Sequence, residues 1–491
     1  MTVGRTYRLV GRDGTGVFLG LGVTEIVLVG SGFAAAVLGR LAGAPAVAAA
    51  VPLLVGCGLA KMRIGGRAAY QWLPLLAGWA AAAATGRRRW RASLRLASRG
   101  DEPGPDLPAA LRGLEIVDLA GASQPFAAIQ DRRSARLTVV LPVRVERFVG
   151  AEPSTQEALL SAWGDVLSAQ ATSGSPVVQL GWSQQTRPAG LAAHRTWLDE
   201  LAGSPGSSAG RRGYSALVDE VAALAAEHDT VVWATVSGRG IPGRGSLLSR
   251  AMDRLPAAVA PMAAALGDAS VEVGAGLTVG QLWRLLGLRA DPNAAPCTGG
   301  TASLAARMGL AAPTSGAPLA MEVHWSEVQV DGSWHRIYWV ESWPRRPVPT
   351  DWLVGFLSEG EPVTTTVAYH PIDPARSQRR IDGQLVKLGA HRARQENKAR
   401  RVSEIEHRTE QAVHDLEAEL ASGYAEVLYL GLVCVTGRSF DDLEARCQAV
   451  EQAARTAQLG LRVLHGRQDV AWAATLPFGL IEPGLVEVTG L

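Results

Sequence analysis

Hydrophobic residues crowd into the front of this chain and are spaced out behind it. Between residues 17 and 60 they run nearly unbroken: 26–38 lies between Glu25 and Arg40, and 41–60 carries no charge before Lys61. A helix rises ~1.5 Å per residue, so about twenty residues cross the hydrocarbon layer. Each half is a short but feasible span, with Gly39, Gly43 and Pro45 supplying the turn. The pattern predicts a two-span transmembrane hairpin over residues 1–67. Arg5, Arg8 and Arg12 precede it, Lys61, Arg63 and Arg67 follow, and the loop holds only Arg40, which places both ends in the cytoplasm. A signal peptide cleaved near Ala44-Pro45-Ala46 fits less well, because a second apolar run follows at once. A buried helical pair fits less well too, since both runs are apolar all round rather than striped. Glu25 belongs at the interface.

Residues 68–100 open with a third uncharged stretch, 68–86, which is broken by Pro74 and followed by Arg87-Arg88-Arg89-Trp90-Arg91. The expectation is an interfacial amphipathic basic segment, with Trp72, Trp79 and Trp90 at headgroup depth and the arginines on anionic lipid. An ordinary soluble helix ended by a charge run is the competing reading. Residues 101–108, acidic and proline-rich, mark a linker.

Behind the linker, 109–491 reads as a cytosolic α+β domain. Short strands are expected near 114–117 and 127–130, then a long one at 136–145 whose Pro142 suggests an edge or a bulge. Ser154-Thr155-Gln156-Glu157 has the form of a capping box opening a helix to Ala171, and 177–182 is the next strand. A helix at 214–227 and a strand at 230–236 repeat the theme. Two strands, 319–330 and 333–343, meet at an Asp331-Gly332 turn. The long charged segment 373–422 has no breaker after His391, and predicts one helix over about 391–421. A strand at 425–436, a cap at Ser439-Phe440-Asp441-Asp442, a helix at 443–458 and a strand at 461–464 close the pattern. Its order matches that of 136–182, and the two units together could fold into a ferredoxin-like sandwich of four strands and two helices.

Composition agrees with a large soluble part carrying a small membrane part: hydrophobic residues make up 47% of the 491 residues, and mean hydropathy is +0.09. A net charge of +2 gives no global field to recruit nucleic acid. Cys57, Cys297, Cys434 and Cys447 are scattered, without the spacing of a zinc site or a disulfide framework.

Candidate chemistry is sparse. Gly238-Arg239-Gly240-Ile241-Pro242-Gly243 spells a dinucleotide fingerprint, but the acidic residue wanted at the end of the next strand is missing, and a surface loop is the simpler reading. No lysine directly follows a glycine, so there is no P-loop. Cys297-Thr298-Gly299-Gly300 has nothing nearby to lower its pKa. His324, His335 and His370 lie in strand patterns without a partner at motif spacing. The expectation is a protein that is not an enzyme, with no catalytic, cofactor-binding or metal-ligating residues.

Three stretches carry a family resemblance. They are Arg5-Thr6-Tyr7-Arg8 with the hairpin behind it, Ala368-Tyr369-His370-Pro371-Ile372-Asp373-Pro374-Ala375, and the end of the chain from Gly423-Tyr424-Ala425-Glu426 through Gly466-Arg467-Gln468-Asp469-Val470-Ala471-Trp472 to Thr475-Leu476-Pro477. Read together, the chain resembles an actinobacterial family of membrane proteins from conjugation-like type IV secretion clusters. Its soluble part is similar to the non-motor amino-terminal domain of TraC-type secretion ATPases, and the sequence stops just after Leu476-Pro477, where a motor would begin. The resemblance implies a scaffold or docking subunit of the inner (plasma) membrane, multi-pass, working in an oligomeric complex beside a secretion ATPase and a small PrgI-type membrane protein. An EccE-type component of type VII secretion is the second reading, and a membrane-anchored dinucleotide-dependent enzyme the third. The charged helix 391–421 is the expected contact with the ATPase.

Overall fold

The computed structural model describes residues 23–64, 67–93, 106–119, 126–144, 148, 150–188, 194, 198, 213–218, 220, 226–239, 246–268, 271–292, 316–344, 346, 348–357, 362–379, 381–383, 386, 389, 418 and 425–481. Arg5, Arg8 and Arg12, the Gly240–Gly245 part of the glycine loop, Cys297 and, apart from Ala418, the expected helix 391–421 lie outside the described residues.

Two apolar helices come first, α1 (Val23–Leu41) and α2 (Ala46–Lys61), joined through Gly43 at φ +85°. They cross where side chains are missing. A Cβ on Gly32 would lie 2.7 Å from the Pro52 carbonyl, and one on Gly56 2.7 Å from that of Leu28. Glycine at both positions is what lets the backbones approach, as in helix pairs packed without a hydrophobic driving force. Val27, Phe33, Leu38, Val51 and Leu54 point outward and are exposed. Among the described residues α1 alone is long and apolar enough to cross a membrane, and α2 is shorter. A two-strand link, β1 (Arg63–Ile64) and β2 (Arg67–Ala68), leads into α3 (Ala69–Ala84). Next comes β3 (Arg89–Arg91).

The body repeats one order of elements. The first half is β4 (Leu114–Leu119), β5 (Phe126–Asp131), β6 (Arg136–Arg144), α4 (Pro153–Gln170), β7 (Val177–Pro188), β8 (Ala226–Ser237), α5 (Leu247–Asp268), β9 (Glu272–Val273) and α6 (Val279–Ala290). In the second half come β10 (Ala320–Val323), β11 (Val328–Val330), β12 (Ser333–Ser342), α7 (Val354–Leu357), β13 (Val363–Pro371), β14 (Val427–Gly437), α8 (Phe440–Thr456), β15 (Gly460–Val463) and α9 (Gln468–Thr475). All join one antiparallel sheet of order β3-β10-β11-β12-β14-β13-β7-β8-β6-β5-β4, with β15 sharing the edge of β12 and β9 that of β6. Read outward from the central pair β7 and β13, the two halves have the same strand order. The seam itself is in register from Thr364 opposite Gln185 to Tyr369 opposite Leu180.

Both faces of the sheet are buried, so its central strands are apolar nearly throughout. Leu137, Val139 and Leu141 of β6 face α4 and α5, where Leu255, Met262 and Leu266 meet them, and Val433 and Val435 of β14 face Leu443, Cys447 and Val450 of α8. The alternate residues Val140, Trp233, Ile337, Trp339, Leu432 and Cys434 form a single core on the other face with α6, α9 and the closing residues Leu476, Phe478 and Ile481. One such core spanning both halves makes each depend on the other.

Several local expectations change. Ser154 is not a cap: Pro153 takes the first helical position, whose fixed φ starts the helix after Glu152, and Gln156 turns away to the Phe148 carbonyl. Pro142 lies on an interior strand, yet at the gap where the β5 ladder has ended and only the Gly274 amide reaches its carbonyl, so no ladder donor is lost. The stretch 319–330 is two strands, because the chain turns back with His324 N–H bonded to the Glu327 carbonyl. Strand β8 begins at Ala226, inside the expected helix 214–227. The units 136–182 and 425–464 lie in one sheet with β13 between them, and β8 parts β6 from β7 within the first, so the two do not combine into one four-strand sandwich. Leu107 of the expected linker is buried in the core.

Candidate functional site

The apolar helices are seated on the body by aromatic rings. Trp325, in the β10–β11 turn, stacks on Trp72 at 6.2 Å and on His465 at 6.0 Å, and meets Trp79 edge-on at 5.5 Å. Trp72 also donates to the Ile64 carbonyl at 3.1 Å. Arg88 lies 3.7 Å over the Trp79 ring and donates to the Trp79 carbonyl, an arrangement that holds both the charge and the helix end. Trp72, Trp79 and Trp90 turn toward the protein, while Leu73 and Leu76 are half exposed on the outer side of α3. Three of the four arginines are engaged as well, Arg87 by the Thr85 hydroxyl, Arg88 by Trp79 and Arg89 by Glu322 at 2.9 Å. From Ile26 to Gly100 the sequence has no carboxylate. The helical end of the molecule is therefore apolar and cationic.

A second region is the polar row inside the core shared by the halves. Thr366 donates to the Thr475 carbonyl at 2.8 Å and Thr138 to that of Phe478 at 3.1 Å, so the closing segment is pinned to both halves. Gln468 pairs with both backbone groups of Ile337, as a strand residue would. Helix α6 reaches the other way: Gln185 Nε2 donates to the Leu288 carbonyl at 3.0 Å and His335 Nε2 to that of Ala290 at 2.8 Å. Arg289 is fully buried, which pushes its pKa down to about 10, and among the described residues only its Nη1 has a hydrogen-bond partner, Thr364 at 3.4 Å.

The groups here resemble catalytic ones in type but not in state. Cys434 Sγ lies 3.7 Å from His335 Nδ1. Burial pushes the thiol up to about 12 and holds the imidazole down to about 4. A protonated thiol beside a neutral, fully bonded imidazole is not an activated nucleophile. His324 stacks on Trp334 at 5.2 Å, and burial lowers the pKa of His370. Gly238 marks a close approach to the Leu247 carbonyl. The strands on either side, β8 and β9, are not neighbours in this antiparallel sheet, which lacks the parallel crevice that holds a dinucleotide.

No sequence signal marked Trp325 or His465, because their partners on α3 lie hundreds of positions away. Fold and surface together define an antiparallel α+β body carried on apolar, cationic helices. No protein-family model matches the chain, and no curated protein matches it significantly.

Proposed function

We propose that this chain is a membrane-anchored scaffold and docking subunit of a type IV secretion or conjugative transfer machine, without catalysis of its own. The observation that carries the membrane part is the exposed apolar surface of α1 and α2, continuous with the outer side of α3 and free of carboxylates after Glu25. In this reading α1 and α2 form a two-span hairpin of the plasma membrane. Helix α3 lies in the interface with Leu73 and Leu76 in lipid, since its inner side touches polar groups of the body that hydrocarbon would not accept. The body is cytoplasmic, and each half of it follows the strand order of a ferredoxin-like unit.

Membership of the machine is supported by the resemblance of residues 368–375 and 466–477 to secretion proteins. In the structure the second of these stretches closes the core of both halves, a packing role that suits a scaffold. The partners in this reading are the neighbouring secretion ATPase and the small PrgI-type membrane protein. Cross-linking mass spectrometry of complexes purified from native membranes tests it. Cross-links from the body to the ATPase are expected. Recovery of the chain from the soluble fraction, or from membranes with neither partner, overturns the assignment.

A further inference from the structure

The two halves of the sheet end differently. In the second half the outer strand β10 is covered by β3, with Met321 opposite Trp90 and Glu322 opposite Arg89. The corresponding strand of the first half is β4, and among the described residues no strand pairs with its outer edge.

The correspondence holds residue by residue. The β4–β5 ladder sets Glu115 opposite Gln130 and Ile116 opposite Ile129, while the β10–β11 ladder sets Glu322 opposite Gln329 and Val323 opposite Val328. Leu114 and Ile116 pack toward the shared core, as Met321 and Val323 do. Glu115 therefore stands where Glu322 stands. Its present partner is Arg132 at 2.7 Å, a solvent-exposed pair that an incoming charge can replace.

An open strand edge is a template for another strand, with main-chain hydrogen bonds supplying affinity and alternate side chains specificity. A second copy of this chain is the poorer fit: antiparallel pairing of β4 with itself about Ile116 sets Glu115 opposite Val117 and Leu114 opposite Asp118, and offers Glu115 no counter-charge. The internal counterpart names the better occupant. We propose that the outer edge of β4 receives an extended arginine–aromatic–arginine segment of a different protein, added as an antiparallel strand with its aromatic ring over Leu114 and an arginine on Glu115.

The probe is a cyclised hairpin peptide presenting residues 86–93 of this chain as one strand, added to the full chain in detergent micelles and followed by hydrogen exchange. Amides of β4 are expected to slow at least tenfold. Glu115→Arg removes the protection, Glu115→Gln weakens it, and a peptide with glutamate in place of its arginines restores it on Glu115→Arg. Unchanged exchange of β4 at saturating peptide overturns the proposal. So does protection that survives Glu115→Arg undiminished, or protection of β10 in place of β4.

Discussion

His335 is buried in the core with both nitrogens bonded, to the Ala290 carbonyl and the Thr436 hydroxyl. Its pKa is held down to about 4 by burial, against about 6.5 in an unfolded chain. Between these values the unfolded state binds the proton and the folded state does not, so stability is full above pH 6.5 and falls as pH drops toward 4. The loss is about 1.4 kcal/mol per pH unit and about 3 kcal/mol across the window. His335→Gln keeps a donor for Ala290 without the titration. Denaturant unfolding at pH 4 to 7 is expected to give a flatter acid limb for the variant, and parallel limbs would refute the account. At this scale the sequence was only half legible. The strand holding His335 is plain from its alternation, but not its contact with Ala290, set by a helix 45 positions earlier in the chain.

At the scale of elements, α3 is fixed to the body by Trp72 and Trp79 on Trp325, and by β3 pairing beyond it. Trp325→Ala removes the ring between them. The helix is expected to lose hydrogen-exchange protection by tenfold or more while β6 and β8 keep theirs, and an unaffected α3 would show that β3 alone holds it. Elements with a strong local signature were read from sequence with little error: α8 starts where Ser439 accepts from the Asp442 amide, and Asp331 takes the positive φ of the turn before β12. Those shaped by distant contacts were not, such as β7, which extends to Pro188 because β8 pairs with it as far as Ala226, three residues beyond the end of the β13 ladder at Gln185.

For the whole molecule, the shared core predicts one cooperative transition rather than two. A chain truncated before Gln468 loses Trp472, Leu476 and Phe478 from beneath both halves. Proteolysis of that variant is expected to cut β6–β8 as readily as β12–β14, and a protease-resistant first half would show the halves to be independent. The order matched in sequence, 136–182 with 425–464, is not the repeat of the two halves: the first unit corresponds to 333–371 and the second to 226–273. The repeat itself was hidden, because corresponding strands share packing positions rather than residues.

The bond from Thr138 to Phe478 spans 340 positions. A ribosome adding 5–20 residues each second needs roughly 20–70 s to cover that distance. Throughout that interval the nascent first half has a bare apolar face, while α1 and α2 are already available to the insertion machinery. Synthesis therefore leaves a half-open sheet waiting for its last segment, and chaperones at the translation site have tens of seconds in which to guard it.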